Sequence, residues 1–175
     1  FVSMCDQRNI PLLFLHNITG FMVGTEAERG GIAKDSAKLV YAMSIAKVPR
    51  LSVIVGGSYG AGNYGMCGRG FAPRFLFAWP TAELATMSAD IASNVMIELR
   101  REKGGDPAEM QADLERIEAE VRAQYAEQSD PYYATSRLWD DGLIEPGQTR
   151  DILGLCLAIV SSVPDPGRHV PVFRM

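Results

Sequence analysis

Leu51-Ser-Val-Ile-Val-Gly-Gly-Ser-Tyr-Gly-Ala-Gly-Asn-Tyr-Gly-Met66 constrains this chain more than any other stretch. Leu51 to Val55 is short, apolar and β-branched, the pattern of a buried strand. Gly56, Gly57, Gly60 and Gly62 then crowd together, and Gly65 follows. Glycine admits positive φ and lets another molecule approach main-chain amides closely. A helix beginning here aims free N–H groups outward. Strand, glycine turn and helix start thus form a socket for negative charge, either standing on a phosphate or developing on an enolate oxygen.

Three uses of such a socket compete. The glycines can serve tight packing alone. Gly60-Ala-Gly62-Asn-Tyr-Gly65 matches the dinucleotide fingerprint GxGxxG, and Glu83 stands near the spacing of its ribose-binding acid. That fold needs a helix of ordinary length, whereas Gly68, Gly70 and Pro73 stop any helix within about two turns. A phosphate-binding loop is excluded because no Gly-Lys-Ser/Thr follows. The third use is an oxyanion hole, which needs only a strand end and one helical turn.

At 175 residues, 47% of them apolar, the chain suits one folded domain. A net charge of −4 without a basic run argues against nucleic acid. No apolar run reaches the ~20 residues of a membrane span. Cys5, Cys67 and Cys156 lack metal-ligand spacing and fit a reducing compartment; no metal is expected. His16 and His169 are far apart and read as structural. Phe1-Val-Ser-Met-Cys-Asp resembles the inside of an amphipathic helix, with no initiator Met or signal peptide, so a piece of a longer polypeptide is expected.

Pro11 to Leu15 reads as another buried strand, running into the loop His16-Asn-Ile-Thr-Gly-Phe-Met-Val-Gly24. A helix is expected over Ile32–Lys47, strands over Arg74–Trp79 and Glu83–Met87, and a helix over Ala89–Glu102 capped by Ser88. Asp106-Pro-Ala-Glu109 starts a long helix to about Glu127. Its Met110, Leu114, Ile117, Val121 and Tyr125 form a narrow stripe for a single neighbour, within the domain or in another subunit. Asp130-Pro131 reads as a turn and Gly142–Pro146 as an edge strand. Thr149 is expected to cap a last helix, Arg150 to about Ser162, buried all round, before an extended Pro-rich tail. The alternation gives an α/β fold.

Asn17-Ile-Thr-Gly-Phe-Met-Val-Gly24, Gly56 to Gly68 and Pro73-Arg-Phe-Leu-Phe-Ala-Trp-Pro80 resemble the carboxyltransferase (β) subunit of biotin-dependent acyl-CoA carboxylases. Arg137-Leu-Trp-Asp-Asp-Gly-Leu-Ile-Glu-Pro146 and the final Phe173-Arg-Met175 resemble that family's C-terminal end. The likeness is to the 3-methylcrotonoyl-CoA type and is weakest over Ala89–Gln128. It implies an α/β, ClpP/crotonase-type fold, with residues 1–175 as the C-terminal of two such domains in the subunit.

The resemblance further implies transfer of CO₂ from biotin N1 to an acyl-CoA. The acyl-CoA would sit in the N-terminal domain of a neighbouring subunit. Carboxybiotin would arrive on a carrier, delivered by a biotin carboxylase/biotin carrier subunit, and the assembly would be a homo-oligomer of bacterial cytoplasm or mitochondrial matrix. Carried over, the biotin-side oxyanion donors are the amides of Ala61 and Gly62, with a partner from Gly20-Phe21. Gly60, Tyr59, Tyr64 and Gly24 would contact the cofactor; Tyr59 and Tyr64 could equally pack in the core.

One departure bears on substrate. The propionyl-CoA type reads Gly-Gly-Ala-Tyr-Asp-Val-Met across this turn, so here Tyr64 replaces an acid. That favours a branched enoyl-CoA, with geranyl-CoA as the alternative. A crotonase-like assembly module without activity is the non-enzymatic alternative. Asp140-Asp141 reads as a turn before Gly142 rather than as an acid–base pair.

Overall fold

Period-two alternation along Leu12–Ile18 decides where the sheet sits. Leu12, Phe14, His16 and Ile18 turn inward, while Leu13, Leu15 and Asn17 turn out. In this computed structural model, residues 1–104 and 107–163 are described. The strands are β1 (Leu12–Ile18), β2 (Arg50–Tyr59), β3 (Phe75–Ala78) and β4 (Glu83–Ala85). All pair in parallel, in the order β1-β2-β3, with β4 on β2 beyond the end of β3. β3 pairs Leu51–Ile54, and β4 pairs Gly57–Tyr59.

Helices connect and cover the strands. They are α1 (Val2–Gln7), α2 (Thr25–Arg29), α3 (Ile32–Ile45), α4 (Gly60–Gly65), α5 (Ala89–Glu102), α6 (Pro107–Gln128), α7 (Pro131–Ser136) and α8 (Thr149–Ser161). On one face, Val2, Cys5, Met43, Ala46 and Val48 pack with Leu12 and Cys67. On the other, Leu153 and Cys156 of α8 pack with Leu51, Val53 and Ile144. Buried Asp6 accepts from the Lys47 and Val48 amides at 2.6 and 3.0 Å, and Arg50 Nη1 donates to the Met43 and Ala46 carbonyls. The last turn of α3 therefore ends on charged partners that satisfy its orphan groups and fix the entry to β2.

Several elements differ from the sequence reading. β2 does not stop at Val55 but runs through Gly56 and Gly57 to Tyr59. A Cβ at Gly56 would lie 2.5 Å from Asn17 Oδ1, and one at Gly57 2.7 Å from the Tyr59 ring, so a side chain at either position would have to displace these neighbours, and neither glycine sits in a turn. Asp130 is no simple turn: its carboxylate accepts from the Tyr132 amide at 2.7 Å and caps α7, with Pro131 in the first turn. Thr149 is the first residue of α8 rather than its cap; its hydroxyl takes the Trp79 indole N–H at 2.9 Å.

α8 buries Leu153, Cys156 and Val160 and leaves Leu155, Leu157 and Ile159 exposed, so it is covered on one face and not all round. Gly142–Pro146 contributes a lone bridge, Ala78 to Leu143, in place of an edge strand. α2 was not foreseen. The Ser88 cap holds, accepting from the Ile91 amide. The proposed Asp106 cap and the Pro-rich tail from residue 164, with its Phe173-Arg-Met175, lie outside the described residues.

Candidate active site

β2 delivers Tyr59 to Gly60, whose φ of +54° turns the chain into α4. A Cβ there would also meet the Thr86 carbonyl at 2.8 Å, so glycine is required twice over. α4 is six residues long, and no side chain caps it. First-turn amides have no acceptor inside a helix. Among the described residues, no protein acceptor takes the Ala61 or Gly62 amide, nor those of Gly20 and Phe21.

The end of β1 lies against this helix. A Cβ on Gly62 would stand 3.1 Å from Gly20 Cα and 3.1 Å from Ile18 Cδ1. Gly20 itself has φ +116°. The Phe21 ring packs on Gly65, 3.2 Å from where its Cβ would be. Gly20, Phe21, Gly60, Ala61 and Gly62 therefore form one neighbourhood.

The remaining candidates are placed differently. Tyr59 caps α4 through its backbone, while its side chain lies over Gly57 and donates to the Glu83 carboxylate. Burial, then the Glu83 bond and charge, push the phenol up to about 12, so it stays protonated. A cavity of about 200 Å³ opens beside it, lined also by Arg122, Tyr125 and Ser129. The half-exposed Tyr64 ring packs edge-on to Phe71 at 6.1 Å and over Gly70. Gly24 starts α2 with φ +116°, and nothing lies within 4 Å of its Cβ position.

A buried polar chain underlies the same helix and was not legible as a unit. His16 Nε2 lies 2.6 Å from the Met66 carbonyl and Nδ1 lies 3.0 Å from Ser58 Oγ. A carbonyl only accepts, so Nε2 carries the hydrogen and Ser58 donates to Nδ1. Asn63 Nδ2 in turn donates to Ser58 Oγ at 2.8 Å. Burial lowers the His16 pKa, opposed by the Met66 bond, and the ring is neutral. The inward position of His16 in the β1 alternation was the available signal.

These facts limit the chemistry. Both His16 nitrogens are committed, so it offers no free base. Cys67 is buried, and that burial pushes its thiol away from the reactive thiolate. Asp140 and Asp141 brace structure: Asp140 accepts from the Gly142 amide, and Asp141 accepts from the Leu76 amide and pairs with Arg69 at 3.0 Å. Among the described residues, no three His, Cys, Asp or Glu side chains gather as metal ligands, and no helix is long and apolar enough to cross a membrane. What remains is hydrogen-bond donation from the main chain at the start of a helix. The dinucleotide alternative, which required a full-length helix past Gly65, meets a helix that ends there.

Comparison with known proteins agrees with this architecture. The chain is 49% identical, over its whole length, to the biotin-dependent 3-methylcrotonyl-coenzyme A carboxylase beta1 subunit of Mycobacterium tuberculosis, and covers 34% of that protein. It is 48% identical to the probable mitochondrial methylcrotonoyl-CoA carboxylase beta chain of Drosophila melanogaster, again over the whole chain and 31% of the relative. The solved beta subunit of P. aeruginosa geranyl-CoA carboxylase superposes with a TM-score of 0.83 at 47% identity, covering 91% of this chain and 30% of that one. This chain thus spans about a third of the length of these relatives, and its α/β fold is of the ClpP/crotonase-like carboxyltransferase type. The carboxyl transferase domain pattern runs from residue 1 to residue 167, and the chain belongs to that family.

Proposed function

We propose that this chain serves the carboxyltransferase half-reaction of a biotin-dependent acyl-CoA carboxylase and supplies its biotin-side oxyanion hole. Carboxybiotin, when bound, supplies the carboxyl group that passes to the acyl-CoA. The Ala61 and Gly62 amides donate to the ureido oxygen, and the Gly20-Phe21 backbone contributes the partner donor. The residues fit that role: the start of α4 carries free donors and no side-chain acceptor. An oxygen gaining negative charge meets fixed dipoles that need no reorganisation. The observation that carries the reading is the uncapped first turn of α4 packed directly against Gly20.

Residues 1–175 are, in this proposal, the C-terminal of two carboxyltransferase domains. The acyl-CoA sits on the N-terminal domain of a neighbouring subunit in a homo-oligomer, and a biotin carboxylase/carrier subunit delivers the cofactor. The setting is bacterial cytoplasm or mitochondrial matrix. Sequence likeness supports 3-methylcrotonoyl-CoA as acceptor. The geranyl-CoA carboxylase structure supports a second acceptor, geranyl-CoA. The ratio of kcat/KM for the two acyl-CoAs decides between them.

The direct test is Gly62→Pro in the full-length subunit assembled with its biotin carboxylase partner. The substitution deletes one N–H, and carboxyl transfer falls on the order of 100-fold or more. Turnover near wild type would remove the basis for the assignment.

A further inference from the structure

His16 lies where both halves of the donor pair can be held at once. It stands on β1, the strand that ends at Ile18 just before Gly20 and Phe21. Its imidazole reaches across to α4, bonding the Met66 carbonyl at the helix's carboxyl end. Through Ser58 of β2 it also holds Asn63 in the middle of α4. His16 is fully buried and Ser58 nearly so, so water is kept from the bond between them, while the outer bonds to Met66 and Asn63 are part-buried. A six-residue helix is too short to hold itself in place, and this one has no side-chain cap.

Resting on the function proposed above, we infer that His16 is a positioning residue. Its two nitrogens fix how α4 is turned against β1, and so set the aim of the Ala61 and Gly62 amides relative to Gly20-Phe21. Met66 and Asn63 are two attachment points on one short helix, and two points define its rotation about its own axis. Gly62 lies so close to Gly20 and Ile18 that a Cβ on it would stand 3.1 Å from each, so a roll of the helix shifts the donors relative to Gly20-Phe21. The imidazole touches neither substrate nor cofactor in this role.

The test uses the full-length subunit in its assembled complex, with His16→Ala, His16→Gln and Ser58→Ala compared by steady-state carboxylation and thermal melting. His16→Ala lowers kcat roughly 10–100-fold through misplaced donors while KM for the acyl-CoA holds. Glutamine can donate from its amide nitrogen to Met66 and accept from Ser58 at its oxygen, so His16→Gln restores most of kcat. Ser58→Ala loses a smaller part of kcat and keeps KM. A folded His16→Ala complex with wild-type kcat overturns the inference. So does a glutamine variant as impaired as the alanine one, because ring volume rather than the two bonds would then matter. Where His16→Ala fails to assemble, Ser58→Ala decides: unchanged kcat overturns the inference. Gly62→Pro runs alongside. If it keeps turnover, the site reading falls and this inference with it; if it is inactive while a folded His16→Ala complex keeps wild-type kcat, only the inference falls.

Discussion

The start of α4 and the α5–α6 hairpin are held by opposite means. Around α4 the parts are small and neutral: close glycines, a buried imidazole and hydroxyl, and a half-buried amide. The hairpin buries Leu114 and carries its charge pairs at the surface. Arg100 pairs with Asp113 at 2.8 Å, and Arg122 with Asp90 at 2.7 Å and Glu118 at 3.0 Å. Hydrogen bonds from Arg100 and then Arg116 hold Asp113 below the usual carboxylate range. In the first region adding an atom does damage, because there is nowhere for it to go. In the second, removing a charge changes little, because water replaces it.

That contrast can be broken, starting with the largest effect. Gly62→Pro deletes one amide hydrogen and slows carboxyl transfer in the assembled enzyme on the order of 100-fold or more, a barrier rise of about 3–4 kcal/mol. Gly60→Ala comes next. It puts a Cβ 2.8 Å from the Thr86 carbonyl at positive φ, and destabilises the fold by about 1–3 kcal/mol in urea unfolding. Unaltered stability would show that the turn relaxes freely and that the region is not tight.

The His16 pKa gives a smaller, pH-dependent effect. Burial holds it below its ordinary value of 6.5, so between 6.5 and the native value the unfolded chain binds a proton that the folded chain does not. Stability is therefore fully present above pH 6.5 and declines as the pH falls towards the native value. His16→Gln flattens this acid slope in melts taken across that range. The smallest effect lies on the hairpin. Arg116→Ala leaves the melting temperature within replicate scatter and insensitive to salt; a large drop would erase the distinction between the two regions.

Much of this architecture was legible where apolar spacing governs. The strand cores and the helices over 32–45 and 89–102 follow from periodicity, and the brevity of α4 from Gly68 and Pro73. The narrow stripe on α6 predicts a single neighbour; α6 packs on α5 but also touches α7 and β4, with Tyr125 beside Thr86. Gly56 and Gly57 misled, because the Asn17 side chain crowding Gly56 comes from a neighbouring strand and no local pattern shows it. The exposed Leu155 and Ile159 made α8 read as fully buried, since sequence shows apolar character but not what covers it. At the site, the glycine neighbourhood was readable, whereas His16–Ser58–Asn63 was not. Its members are up to 47 positions apart, and none is unusual alone.

β2 bonds to each of the other three strands: β1 along one edge, and β3 then β4 along the other. Its central amides can exchange with deuterium only when the whole sheet comes apart, so they should be the slowest in the molecule. The stretch leading into Gly60 inherits that permanence. Breathing of the outer helices then leaves the end of β2 undisturbed.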